Sequence, residues 1–490
     1  MKILFVFKSE NFIVPIGLCC ISASAKAAGH ETHLCELNSD NVWEKIRSVG
    51  PDVIAYSSST GEAKHYLAVN KLIKQKYPGL FSIMGGPHPT FFNEVLGQGD
   101  LNAICVGEGE RAFIELLNNL GNNLSIDNIP NIMVKDRKNA LTLGNLEENL
   151  DGLPFPDYSL LYDNTPMGRY PLKSFMASRG CPYDCSYCFN SRWNEIYKGK
   201  GQLLRRHSVD YIIEDIRKVK EKWPLSTVKF YDDIFSLKAD EWLNEFSRKY
   251  KKEIGLPFFI LTRADVLSED MVRLLKSAGC RTISMSIEAG NPEIRSKVLN
   301  RNMSDEQIIK AHRLCERYGI NTFTNCIVGL PGTTIDKDIE SINLSVKSRV
   351  TWAEYLIFHP YPGTPLGDKL VDSGAYNPEY SDMHTSYMHA SPLKFSKREN
   401  NALKNISVLG AVATVFPKSK NIVVKYLIFL PHNIVFTLVY FIVKMYIIRA
   451  KIYETKTSFT GSIKIYLKSL RQEVFRHESS DTPAKYNENL

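Results

Sequence analysis

The sequence predicts an α/β protein of two successive units, a doubly wound parallel sheet (Rossmann-like) and a partial (β/α)6 barrel, followed by an α-helical tail. Three observations predict it. Short apolar runs alternate with helical patterns up to about residue 390, the alternation lapses in an Asn- and Asp-rich stretch over 121–170, and from about Leu393 the pattern turns helical and basic. A chain of 490 residues is also too long for one core. The expected division is 1–125 for the first unit, 126–169 for a linker, 170–390 for the barrel and 391–490 for the tail.

In the first unit, a strand at 3–7 leads to a small-residue helix over 16–28 that stops at Gly29. Strands at 32–37 and 52–57 follow, the second entered through Gly50-Pro51, and then a helix over 62–77 that ends at Pro78-Gly79. Strands at 81–84 and 103–106 run into the turns Gly85-Gly86-Pro87-His88 and Gly107-Glu108-Gly109-Glu110 before a last helix. Apolar strands separated by helices imply a parallel sheet covered on both faces, with ligands at the strands' carboxyl ends, where these glycines sit. Pro154 and Pro156 break any helix in the linker. The second series places strands near 174–178, 228–231, 258–262, 283–287, 322–328 and 353–358, with Ser268 as one helix N-cap and chemistry expected at the strands' C-terminal ends.

Composition is ordinary for a folded protein, 44% hydrophobic and 23% charged. Ten cysteines are too few for a disulfide scaffold, and seven of them lie in apolar or helical runs as small buried hydrophobes. The N-terminus reads as no signal peptide. Residues 391–490 hold 16 Lys and Arg against 6 Asp and Glu, so the net charge of +8 belongs to the tail. A nucleic-acid enzyme would carry that charge around its active unit, and no nucleic-acid partner is expected.

Arg179-Gly180-Cys181-Pro-Tyr-Asp-Cys185-Ser-Tyr-Cys188 directly follows the first strand of the second series. Three thiols at these spacings can take three corners of a 4Fe-4S cluster and leave one iron open to chelate an amino and a carboxylate group. A zinc site would need a fourth ligand, usually from a second paired motif, and none is evident. Chance clustering in an apolar loop is the plain alternative; spacing and strand-end position both stand against it.

The CxxxCxxC motif, with the aromatic Tyr187 before its last Cys, resembles that of the radical S-adenosylmethionine (SAM) superfamily, over roughly residues 170–390. The resemblance implies that SAM binds the open iron. An external electron donor then drives its cleavage to methionine and a 5′-deoxyadenosyl radical, which abstracts a hydrogen atom from substrate. It implies further site residues. Phe230-Tyr-Asp-Asp-Ile-Phe235 resembles the family's second strand, which puts Asp232 and Asp233 near the SAM amino group. Ser286-Ile-Glu-Ala-Gly290 resembles the fourth-strand motif whose acidic residue, here Glu288, bonds the ribose hydroxyls. Ile327-Val-Gly-Leu-Pro-Gly332 resembles the strand end beside the adenine, here Gly329. Helix capping or a surface ion pair is the other reading of these carboxylates; their strand-end positions favour ligand roles.

The N-terminal unit ahead of such a barrel resembles the cobalamin-binding radical SAM proteins, through Pro15-Ile-Gly17, Ser57-Ser58-Ser59-Thr60 and the two glycine turns. The resemblance implies a cobalamin held at Ser57, Ser58, Gly85, Gly86, Gly107 and Glu108. Glycines let backbone approach a bulky nucleotide tail, and hydroxyls hydrogen-bond it. The DxHxxG motif is missing, because the loop from Lys8 to Pro15 holds no His, so cobalt is expected without a histidine ligand from this loop. His88 reads as tail-lining or structural, and a fold that has lost its cofactor is the alternative.

Cobalamin beside a radical centre implies methylation of an unactivated carbon in a small-molecule or lipid-like substrate. A radical SAM cyclase or oxidase built from the same domains competes with this, as does a non-catalytic corrinoid-binding module. The motifs do not separate the first two. The cysteines and SAM residues occurring together stand against the third. A transfer-RNA methylthiotransferase would need a second cysteine cluster, and Cys19, Cys20, Cys35 and Cys105 lack the spacing.

Residues 426–443 form 18 positions without Asp, Glu, Lys or Arg, flanked by Lys425 and Lys444 and interrupted by Pro431-His432-Asn433. A membrane span, an interfacial helix and a lid on the barrel compete. Basic residues beside an apolar run favour peripheral attachment to an anionic membrane, so the expected place is the cytoplasm, at the membrane's inner face.

Overall fold

The computed structural model describes residues 1–8, 14–37, 39–136, 141–378 and 391–453, together with Tyr380, Met383 and Met388. Most of the loop between Lys8 and Pro15, and the basic tail beyond Tyr453, lie outside the described residues.

The first unit is a six-stranded sheet in the order β2-β1-β3-β4-β5-β6. Its strands are β1 (Lys2–Phe7), β2 (Glu31–Glu36), β3 (Val53–Ser57), β4 (Phe81–Gly85), β5 (Ala103–Cys105) and β6 (Ile132–Val134). β1 to β5 run parallel. Alternation along β1 feeds two cores: Ile3, Phe5 and Phe7 pack with helices Ile16–Ala27 and Glu110–Gly121, and Leu4 and Val6 with helices Val42–Val49 and Ala63–Lys76. The strand order reverses between β1 and β3, the switch point at which such sheets bind ligands. β6 was not expected. It lies in the predicted linker, antiparallel to β5 with Ala103 opposite Val134, and it pairs the groups that β5 would otherwise leave at an open edge.

The second unit is a parallel sheet in the order β14-β13-β12-β11-β10-β7, the predicted open barrel. Its strands are β7 (Leu172–Phe175), β10 (Thr227–Phe230), β11 (Phe258–Leu261), β12 (Cys280–Ser284), β13 (Asn321–Val328) and β14 (Trp352–Ile357). The strand expected at 174–178 is split. β7 stops at Phe175, and β8 (Ser178–Arg179) leaves to pair antiparallel with β9 (Arg205–Arg206). Buried Asp232 turns the chain there, its Oδ1 accepting from the Ala177 N–H at 3.0 Å and the Ser178 hydroxyl at 2.6 Å. Ser268, Ser304 and Ser396 each cap a helix by accepting from the third backbone N–H, at 3.2–3.3 Å.

The tail packs against the barrel's edge. Helix Lys397–Val415 lies along β14, where the Tyr355 hydroxyl meets that of Thr414 at 2.9 Å. Helix Ile434–Ile447 follows beside it, with Lys444 paired to Glu354 at 3.0 Å and Tyr440 against Trp352. The turn Ile448–Ile452 crosses the barrel's N-terminal mouth, accepting from the Thr282 hydroxyl (2.9 Å) and the Asn321 amide (2.6 Å). Among the described residues no helix is long and apolar enough to cross a membrane.

Candidate functional site

The loop from Cys181 to Cys188 rises from β8 into helix Phe189–Ile196. Gly180 starts it at φ +88°, and a Cβ there would lie 2.0 Å from the Leu203 carbonyl oxygen, so only glycine fits. The loop is pinned from outside: Asn194 donates to the Cys181 carbonyl at 3.0 Å, and Asn300 to the Asp184 carbonyl at 2.8 Å.

The three thiols are electrostatic neighbours. Burial pushes Cys181 up to about 11 and Cys188 up to about 12, with neighbouring acidic groups adding to the shift, so both are thiols at neutral pH. A metal would have to displace those protons. Cationic and donor groups surround the sulfurs. Arg263, stacked on Tyr183 at 3.6 Å and forked onto Asp265, brings Nη1 to 3.6 Å from the Cys185 sulfur. Arg301 brings its own Nη1 to 3.8 Å from the same sulfur, while its Nη2 donates to the Ser286 carbonyl at 2.9 Å. The Asn190 amide lies 3.7 Å from the Cys188 sulfur. Among the described residues no three His, Cys, Asp or Glu groups converge on a single metal ion.

The carboxylates named from sequence take different positions. Asp232 is buried and pushed up to about 7; its Oδ2 has no hydrogen-bond partner, and neither does the buried Oδ1 of Asn190. Asp233 opens to the barrel mouth yet is walled by protein, which raises its carboxyl, with Asn190 and the Gly180 N–H as partners. Glu288 is held at φ +64° by backbone bonds to Asn325 (3.0 Å) and Ile327 (2.6 Å). Burial raises its carboxyl, while Arg301, the Tyr187 hydroxyl and Ser286 oppose the shift. Gly329, at φ +70°, ends β13 with its N–H on Asp338 at 3.1 Å. Sequence reasoning missed Arg263, Arg301 and Asn190, because each reaches the thiols from a separate stretch of chain and none belongs to a spaced motif.

A cleft opens at the carboxyl ends of β1, β3, β4 and β5, with about 930 Å³ of empty space, its open mouth included. Ser57, Gly85, Gly86, Gly107 and Glu108 line it, between apolar walls that include Phe5 and Phe113. Ser58 lies behind the wall, buried, bonding the Gly85 carbonyl with its N–H at 2.9 Å. Gly86 (φ +97°) lets the turn approach closely, since a Cβ there would stand 2.8 Å from the Ser58 backbone. His88 is buried behind the turn, bonded to Thr60 at 3.2 Å, with its ring tilted against that of Phe92 at 5.3 Å; burial pushes it down to about 4.

The cleft and the cysteine loop share a wall. Met176 and Arg179, from the barrel, line the cleft, and Arg179 pairs with Glu110 at 2.7 Å and Glu108 at 3.3 Å. Arg205 of β9 also grips Glu108, at 2.9 Å. Gly86 and Gly107 pack backbone so closely on Ser58 and on Tyr197 that no Cβ fits behind the turns, which leaves bare backbone on the cleft wall for a bulky cofactor. The unpartnered acceptor of Asn190, whose amide lies beside the Cys188 sulfur, suits an ammonium group next to a cluster.

Residues 176–344 match the family model described as Radical SAM superfamily, and residues 3–117 the model described as B12 binding domain. An uncharacterised methyltransferase of Pyrococcus horikoshii is 26% identical over 376 residues, 73% of this chain and 78% of that protein. The hopanoid C-3 methylase of Methylococcus capsulatus is 26% identical over 370 residues, 71% of this chain and 67% of that protein. Among solved structures, the radical S-adenosylmethionine methyltransferase TsrM of Kitasatospora setae, with tryptophan substrate and a SAM analogue bound, matches with a TM-score of 0.64 at 16% identity. That match covers 85% of this chain and 89% of that chain and speaks to the fold.

Proposed function

The chain belongs to the radical SAM superfamily and carries a B12-binding domain ahead of its barrel; from that premise we propose that it methylates an unactivated carbon of a small-molecule or lipid-like substrate. The observation that carries this reading is Arg179. Two residues before Cys181, it pairs with Glu108 and Glu110 and lines the glycine cleft, which supports a reading with the two cofactors back to back.

When bound, the 4Fe-4S cluster with SAM supplies hydrogen-atom abstraction, and cobalamin supplies methyl transfer. The chain's own residues do the rest. Cys181, Cys185 and Cys188 hold the cluster, and Arg263 and Arg301 offset the negative charge gathered at Cys185. Asp233, with the free acceptors of Asp232 and Asn190, receives the SAM ammonium. Glu288 offers its carboxyl to the ribose, and Gly329, where a Cβ would press on Leu403, stands on the adenine side of the mouth. Ser57, Gly85, Gly86 and Gly107 cradle the cobalamin, with Ser58 bracing the turn behind them. An apolar cluster of Leu330, Phe358, Tyr380 and Met383, with Phe92 from the first unit 5.4 Å from the Tyr380 ring, keeps water out of the mouth. Peripheral contact of the basic, apolar tail with a membrane belongs to the same reading.

Anaerobic reconstitution with iron, sulfide, cobalamin, SAM and a reductant tests it. 5′-Deoxyadenosine should form, and mass spectrometry of a cell extract should show a product one methyl heavier. The Cys181→Ala, Cys185→Ala, Cys188→Ala triple variant should lose the iron chromophore and 5′-deoxyadenosine but keep the cobalamin spectrum. A triple variant that still binds its iron sinks the cluster assignment.

A further inference from the structure

Fourteen large apolar side chains stand exposed among the described residues, and eleven of them lie between Phe416 and Tyr446. On helix Ile434–Ile447 they form one stripe: Ile434, Val435, Leu438, Val439, Ile442 and Tyr446. The opposite face, Thr437, Tyr440, Phe441 and Ile447, is buried on the protein. Exposed Phe416, Ile422, Tyr426, Phe429 and Leu430 stand on the preceding segment, which packs on the same helix Lys397–Val415. An apolar surface this concentrated marks a contact with something else.

Charge says what that something is. From Asn400 to Tyr453 the chain has seven Lys and Arg and no Asp or Glu, and Lys418 and Lys425 stand exposed among the apolar residues. A two-fold contact with a second copy would set this one-signed surface against itself. An anionic bilayer complements both its greasy face and its charge. Geometry excludes a span. Among the described residues no helix is long and apolar enough to cross, and Thr437, Tyr440, Phe441 and Ile447 hold one face of helix Ile434–Ile447 against the protein. Its C-terminal end is also bound into the barrel by Thr282 and Asn321.

We infer that residues 416–446 lie in the interface of an anionic membrane, the apolar stripe facing the acyl chains and the lysines among the headgroups. The position of this surface deepens the proposed function and rests on it. Leu430 is tied through its carbonyl to Asn401 (2.6 Å) and Asn405 (2.7 Å) on helix Lys397–Val415. Leu403 of that helix stands 3.0 Å from where a Cβ of Gly329 would be, at the catalytic mouth. The membrane thus reaches the rim of the barrel, and the substrate class it serves is an amphiphile that enters from the bilayer.

The full chain, mixed with phosphatidylglycerol–phosphatidylcholine vesicles and spun through a density gradient, should float, and less so in high salt. Val435→Glu with Ile442→Glu, on the stripe, and Lys418→Glu with Lys425→Glu, on its rim, should each lower the floating fraction about tenfold. 5′-Deoxyadenosine formation in vesicle-free solution should be unchanged in both, which separates loss of docking from failure of the proposed chemistry. A wild-type chain that stays at the bottom overturns the inference, as does a stripe variant that floats as well as wild type. A dimer that the stripe variant dissociates, with vesicles ignored, would assign the face to a second copy instead.

Discussion

Gly86 and Asp215 show how single positions carry the design. Gly86 sits at φ +97°, and any Cβ would press to 2.8 Å on the Ser58 backbone behind the cleft. Gly86→Ala should therefore cost about 1–3 kcal/mol in chemical denaturation and weaken cobalamin binding, read from the shift in its visible spectrum. Asp215 is buried on helix Val209–Lys222, where the Tyr158 hydroxyl donates to it at 3.3 Å. Burial pushes its carboxyl from 3.8 up to about 7 in the folded chain. Between those values the unfolded chain has shed a proton that the folded chain keeps. Its contribution to stability thus falls as pH rises, by up to about 1.4 kcal/mol per unit, and levels off above about 7. Asp215→Asn should flatten that slope and leave the protein more stable than wild type at pH 8, measured by denaturation at pH 4, 6 and 8. The place of Gly86 on the cleft wall was legible because clefts of parallel sheets open at the strands' carboxyl ends. Arg263 and Arg301 were not, because an arginine reveals nothing until the fold shows which sulfur it faces.

At the scale of elements, the contact between β9 and the Gly107–Glu110 turn decides how the two units meet. Sequence reasoning reads Glu108 as a cofactor residue. The fold keeps it on the wall of the cleft but commits its carboxylate to Arg205, Arg179 and the Glu147 N–H. Despite burial, which alone would raise it, Arg205 and Arg179 hold Glu108 below the usual carboxylate range. Arg205 is 2% exposed, and Arg205→Met removes the nearer of the two cations on Glu108 while Arg179 and the Glu147 N–H remain, so it should cost about 1–3 kcal/mol. Adding Glu108→Gln should return much of that loss, and a double-mutant cycle in urea measures the coupling. β9 and β8 are two residues each, and β6 is three, too short for any alternation to register in the sequence. The longer helices were legible from their caps, since Ser268, Ser304 and Ser396 act locally.

For the whole molecule, the alternation of strand and helix, the cysteine spacing and the glycine turns suffice to predict an α/β chain with a cluster-bearing barrel behind a cobalamin-type sheet. Those signals are local. Periodicity follows from burying one side of each element, a three-thiol loop needs only its own spacing, and a glycine turn only its own dihedral angles. What the tertiary structure decided is everything that joins distant stretches. It backed the cluster loop onto the cleft through Arg179, brought Arg263 and Arg301 to one sulfur, and turned the tail's apolar stripe outward while tying its end across the barrel. The physical reason is that an ion pair or a packed face depends on which surfaces the fold brings together. The same apolar run of residues 426–443 suits a core, a lid or a bilayer until its neighbours are in place.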